Sequence, residues 1–279
     1  MQISPRYDAD PLIVIDGPAD DQREPATRQR RRFAAALAGF TDDEWRAPSR
    51  CEGWTNQDVV AHLTGTNQFW TVSLTSAVAG TPTRYLAGFD PQATPAQLVD
   101  ARRSLSPAEG LEQFVASNDA LLDVVAGLDD AGWAAMAEAP PGHLPARLIA
   151  HHALWDAWVH ERDVLLPLGR TPEEAPDEVV SCLRYAAALG PAFAITNDTA
   201  TTGRFAIAAT DPDVALVLDL GAAVHVSEGA APLGLPVLRG RAVDLVEALS
   251  IRCPLGPDAP DEWRQVLSGL ATVFDVEVP

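Results

Sequence analysis

The sequence predicts a mainly α protein: an antiparallel four-helix bundle followed by a small α+β C-terminal domain. Three observations carry this. Between about 27 and 189, apolar residues recur at helical spacing in long stretches bounded by capping signals. After about 200 the pattern changes to short apolar runs separated by Asp-Pro and Gly turns. With 279 residues and 47% apolar content, the chain has material for a sizeable core in one large or two modest domains. The expected division is a leader of unknown role over 1–25, a helical bundle over 26–195 and an α+β domain over 200–279.

The leader is rich in Pro and Asp, and its one apolar run, Leu12-Ile13-Val14-Ile15, either adds a strand or lies extended. From about Thr27, Phe33, Ala34, Leu37 and Ala38 fall at helical spacing, with Gly39 as a stop. Thr41 and Glu44 form a capping box for a short helix. Thr55 caps a long helix, with Asp58 three residues on and Gly80 at its end. A looser stretch follows to about 105. Ser106-Pro107, with Glu109, opens a helix that fades near Gly127. The next helix runs from near Pro145 to Pro167, and another from Asp177 to Leu189. Beyond 200, Arg204–Ala208, Ala215–Leu218 and Ala223–Val226 read as strands. Ala242–Ile251 and Glu262–Phe274 read as helices packed on them.

Composition excludes some functions. Twenty basic residues, all Arg, stand against 39 acidic ones, for a net charge of −19. Such a chain repels phosphate backbones and anionic lipid, so neither nucleic acid nor membrane is an expected partner. No uninterrupted apolar run approaches the roughly 20 residues of a spanning helix. The N-terminus lacks a secretory pattern. Three distant cysteines imply no disulfide framework, and the expected location is cytoplasmic.

Two histidines lie within helices beside large apolar residues: His62, after Val59-Val60-Ala61, and His160, after Trp158-Val159. Asp156 precedes His160 by four, which puts both on one helix face. With His62 from another helix they can converge on one divalent cation, and three protein ligands leave a position open for substrate. The spacing alone is met more often by an ordinary core histidine or a surface ion pair. His152, four before Asp156, is a rival ligand or a supporting partner.

Cys51-Glu52-Gly53-Trp54-Thr55-Asn56-Gln57-Asp58-Val59-Val60-Ala61-His62-Leu63 resembles the C-x-G-W-T-x-x-D-x-x-x-H-L signature of the mycothiol-dependent maleylpyruvate isomerase family. That family belongs to the DinB-like metal-binding four-helix-bundle superfamily. Asp156-x-x-x-His160-x-x-Asp163 resembles the family's E-x-x-x-H-x-x-D. The segment Leu238–Leu245, with Arg252 beyond it, is similar to its C-terminal G-x-A-x-D-L…R pattern. The resemblance implies a DinB-like bundle, His62, Asp156 and His160 as ligands of Zn2+, and mycothiol as thiol cosubstrate. One departure is Asp156 where the family usually has Glu. The shorter side chain must sit closer or bind a shifted ion, with a weaker or vestigial site as the alternative.

Arg252 is the candidate catalytic residue, gripping an anionic substrate; a surface ion pair explains it equally well. Cys51 reads as a structural thiol, because the sequence shows no adjacent base and no clear electropositive setting. Trp54 staples the helix start; Trp70, Trp155 and Trp158 read as core. The implied reaction joins a metal-activated low-molecular-weight thiol to a small electrophile, either isomerising it or conjugating it as an S-transferase. The rivals are a non-catalytic DinB-like metal-binding or stress protein and a metal-dependent hydrolase that activates water.

Overall fold

A computed structural model gives the structure of residues 4–17, 21–91, 93–274 and 276. Residues 1–3 and 18–20 of the leader lie outside the described residues. Strand β1 (Ile13–Ile15) comes first. It is followed by α1 (Arg23–Leu37), α2 (Asp42–Arg46), α3 (Asn56–Val78), α4 (Ala93–Asp100), α5 (Pro107–Ala126) and α6 (Asp130–Ala134). A hairpin of β2 (Met136–Ala139) and β3 (Gly142–Pro145) leads into α7 (Ala146–Leu165). After α8 (Pro176–Thr196) come β4 (Gly203–Thr210), β5 (Val214–Leu220), β6 (Val224–Glu228), β7 (Val237–Arg241), α9 (Ala242–Leu249) and α10 (Glu262–Phe274).

The bundle is α1, α3, α5 and α7, with α3 and α1 each packed on both α5 and α7. All three capping boxes form: Thr41 with Glu44, Thr55 with Asp58, and Ser106 with Glu109. Helix α8 stands outside the four, with α7 on one side and α9 and α10 on the other. The sheet order is β1-β6-β5-β4-β7. Strand β5 is antiparallel to β4 and β6, while β1 joins β6 and β7 joins β4 in parallel. The leader's apolar run is therefore an edge strand, with Ile13 opposite Val224. One core cluster runs from Trp70 and Trp158 in the bundle to Val224, Leu238 and Trp263 in the tail. A second holds Phe33, Leu63, Phe114 and Val164, with Cys51 and Trp54 packed on it.

Three elements depart from the sequence expectation. Helix α4 falls in the stretch read as loose, because only Val99 of it is buried. The β2–β3 hairpin and β7 carry too few alternating apolar residues to register as strands. Helix α8 continues seven residues past Leu189, through Gly190 and Pro191, to Thr196. Its length and composition suit a membrane span, contrary to the run-based expectation, because Glu178 and Arg184 interrupt the apolar run. Ninety-four percent of that window is buried inside the protein, so core packing accounts for its apolarity.

Gly190, one residue past the expected end of the helix, serves a close helix crossing. A Cβ on Gly269 of α10 would lie 2.2 Å from the Gly190 carbonyl oxygen and 2.5 Å from the Ala194 nitrogen. Neither neighbour is a flexible side chain, so the crossing must open. Gly269→Ala is expected to destabilise the fold by about 1–3 kcal/mol, read as a lower urea midpoint. An unchanged midpoint would show that α10 shifts freely on α8.

Candidate metal centre

Helix α7 is buried almost all round, so its polar side chains need partners within the protein. His151 Nδ1 lies 2.8 Å from Ser181 Oγ, and His152 Nδ1 lies 2.7 Å from the Tyr185 hydroxyl. Glu161 accepts from Arg32 at 2.8 Å and from Gln29 at 3.1 Å. Arg162 Nε donates to Glu247 at 2.6 Å. Asp163 takes Arg50, Arg252 and His160.

Asp156 is paired differently. Its Oδ1 lies 3.7 Å from His62 Nε2 and 3.5 Å from His160 Nε2, too far for good hydrogen bonds. The two imidazole rings are 5.0 Å apart and inclined at 74°. One donor atom from each of the three residues falls within 4.8 Å of the others. Donors at 2.0–2.1 Å around tetrahedral zinc stand about 3.3–3.4 Å apart, and the Asp156 oxygen is already within a few tenths of an ångström of that separation from each histidine nitrogen. Nitrogen and carboxylate oxygen are suitable donors, and the residues fit the group.

Supporting contacts fix the set. The Thr55–Asp58 capping box starts α3 and phases His62 one turn beyond Asp58. Thr66 Oγ1, also on α3, donates to Asp156 Oδ2 at 3.2 Å, leaving Oδ1 toward the histidines. His160 Nδ1 lies 2.9 Å from Asp163 Oδ2, which assigns the proton to Nδ1 and leaves Nε2 as the donor. The Trp54 ring covers His62 at 5.3 Å. The side chains of His62, Asp156 and His160 are 14%, 12% and 10% exposed, so the site opens narrowly to solvent.

The acid and the imidazoles of the site hold one another charged. Burial raises Asp156, but the adjacent His62 and His160 imidazoles outweigh it and hold the carboxyl well below its usual range. Burial lowers His160, but Cys51, Asp163 and Asp156 outweigh it and push the imidazole up to about 10. Asp163 is held well below the carboxylate range, against burial, by Arg252 and His160. Two ionised carboxylates thus flank the His160 ring, which keeps protons on both nitrogens; a metal ligated by Nε2 would have to displace the proton there.

Arg252 does grip a carboxylate in two-pronged fashion, but the protein's own: Nε lies 3.0 Å and Nη2 2.9 Å from Asp163 Oδ2. Cys51 has the setting its sequence neighbours lack. Its Sγ lies 3.3 Å from Asp163 Oδ2 and 3.6 Å from His160 Nδ1, residues more than 100 positions away. Cys51, His160 and Asp163 also form a donor group, but Arg50 and Arg252 already fill the cationic positions on Asp163. Sequence reasoning missed Arg50, Thr66 and Glu247. Arg50 adjoins Cys51 in the first motif, which is the one local signal.

A helical bundle that brings a His–Asp–His set together and is followed by an α+β segment defines the class of protein the fold and site describe. Residues 26–165 match the profile of the mycothiol maleylpyruvate isomerase N-terminal domain, and the chain belongs to that family. Two uncharacterized proteins of Mycobacterium tuberculosis are each 27% identical over 167 residues, which span 60% of this chain and 78% of theirs. A crystal structure of the mycothiol-dependent maleylpyruvate isomerase is similar with a TM-score of 0.62 at 15% identity, covering 88% of this chain and 92% of that one. A histidine-to-alanine mutant of that enzyme gives 0.62 at 14% identity, over 85% and 91%. At such identity the likeness shows the fold, and it extends through both bundle and tail.

Burial holds His151 down to about 3 and His152 down to about 4. Unfolded, both titrate near 6.5. Below that value the unfolded chain takes up protons the folded chain refuses, so stability is intact above about pH 6.5 and falls as pH drops toward 4. In chelator, the urea midpoint is expected to be lower at about pH 5 than at about pH 7. Equal midpoints would mean these imidazoles are protonated in the fold.

Proposed function

We propose that this chain is a metal-dependent enzyme that uses mycothiol, or a similar low-molecular-weight thiol, to isomerise or conjugate a small electrophile. His62, Asp156 and His160 hold the metal. The observation that carries the reading is the convergence of these three donors, within 4.8 Å of one another, in a chain of the mycothiol maleylpyruvate isomerase family. Residues 26–195 supply the ligands in this reading, and 200–279 brace them.

A divalent metal here, Zn2+ by the chemistry of the donors, supplies the Lewis acidity that turns a thiol into thiolate at neutral pH. The chain's residues do the rest. Asp156 offsets the ion's charge, and Thr66 fixes which carboxylate oxygen faces it. Asp163 keeps the His160 proton on Nδ1. Trp54 shields one side of His62 from water. The thiolate, its proton released, would add to an electron-poor double bond, breaking the π bond and leaving a carbanion stabilised by the electron-withdrawing group. Rotation about the new single bond and expulsion of the thiolate re-form the double bond as the isomer, whereas return of the proton to that carbon gives the adduct. In transfer, the adduct is the product.

The natively purified protein is expected to carry a divalent metal and to give thiol-dependent products from a panel of electrophiles, read by mass spectrometry. His62→Ala should lose both while keeping its helical circular dichroism. Full turnover by that variant, or turnover by the wild type without thiol, would overturn the reading.

Asp156→Glu tests the departure from the family's usual ligand. The existing carboxylate already lies within 3.7 Å of both nitrogens. Zinc affinity is expected to be kept or raised in chelator competition. A large loss would mean the site is built around the shorter side chain.

A further inference from the structure

We propose that the C-terminal segment acts on the metal centre through Asp163: Arg252 and Arg50 clamp this carboxylate, which in turn holds His160 by Nδ1 and aims Nε2 at His62 and Asp156. This rests on the metal reading above and adds to it a positioning role for residues outside the His62, Asp156 and His160 set.

The Asp163 side chain is fully buried, so its orientation is set by its partners. Oδ1 accepts from Arg50 Nε at 3.0 Å and Arg252 Nε at 3.0 Å. Oδ2 accepts from Arg252 Nη2 at 2.9 Å, His160 Nδ1 at 2.9 Å and Cys51 Sγ at 3.3 Å. With both oxygens held, the carboxylate cannot swing away from His160, nor turn to become a ligand itself. Two forked guanidinium contacts fix a plane as well as a distance.

The tail is shaped to deliver this contact. Helix α9 is followed by Ile251 at φ 58°, a left-handed conformation that a β-branched residue adopts only when the surroundings impose it. That turn sends Arg252 back toward α7, with its backbone N–H on the Glu247 carbonyl at 2.8 Å and Nη1 on the Ser250 carbonyl at 3.2 Å. Glu247 holds the other arm: its carboxylate takes Arg50 at 2.6 and 3.1 Å and Arg162 at 2.6 Å. Both arms of the clamp thus trace to residues 247–252.

The test measures Zn2+ affinity against a chromophoric chelator, and the absorption spectrum with Co2+, for the wild type, Asp163→Asn, Arg252→Gln, Arg252→Lys and the double Asp163→Asn/Arg252→Gln variant. Asp163→Asn is expected to weaken zinc roughly 10–100-fold, the range for losing a carboxylate that orients a ligand histidine. Arg252→Gln should weaken it less and alter the Co2+ spectrum; Arg252→Lys should recover part of the loss. The double variant should be no weaker than Asp163→Asn alone, since the arginine acts through the carboxylate. If Asp163→Asn does not fold, the two Arg252 variants carry the test. Unchanged affinity and spectrum in Arg252→Gln would overturn the clamp alone, as would losses that simply add in the double variant. A wild type that binds neither metal would overturn the metal reading beneath it.

Discussion

Burying α7 on almost every side is the constraint from which the site follows. Its polar positions include His151, His152, Asp156, His160, Glu161, Arg162 and Asp163, all buried. An ion left unpaired there costs several kcal/mol, so each must be answered by a neighbouring element. The answers define the architecture. Arg32 comes from α1, Tyr185 and Ser181 from α8, Glu247 from α9 and Arg252 from just beyond it. Most of these contacts close at ordinary hydrogen-bond distance. The approach of Asp156 to His62 and His160 does not, at 3.7 and 3.5 Å, and it is there that the three donor groups converge.

Local signals were readable in the sequence. Three capping boxes are written in four residues each, and a helix face declares itself by spacing, so α2, α3, α5 and α7 begin where Thr41, Thr55, Ser106 and Pro145 say. The Asp156–His160 pair is likewise legible because one helical turn joins them. What sequence hid depends on distant chain. Gly190 lies past the expected end of its helix, and its role shows only when the backbone of α10 is laid against it. Cys51 looks inert until α7 brings His160 and Asp163 to its sulfur. Arg50 and Glu247 are unremarkable singly, and Arg252 stands out in sequence without its partners; the three form a cluster only because α9 docks beside the loop before α3.

The shorter carboxylate at Asp156 shows how tightly the frame is set. On α7 it stands one turn before His160, and Thr66 on the facing helix holds its second oxygen. The donor oxygen is then nearly midway between the two imidazoles, at 3.5 and 3.7 Å. The aspartate side chain, short as it is, thus reaches both imidazoles from its place on α7.

The tail cannot be an appendage to this site. Its strands and helices bury the outer face of α8, whose inner face packs on α7, so one apolar core runs from the ligand helix to the sheet. At the polar end of the same interface, Glu247 and Arg252 complete the charge balance of Arg50, Arg162 and Asp163. Removing the tail would expose apolar α8 and leave Asp163 with one guanidinium instead of two. The apolar contact and the ion cluster thus act in the same direction. The first fixes where α7 lies, and the second fixes how His160 is turned upon it.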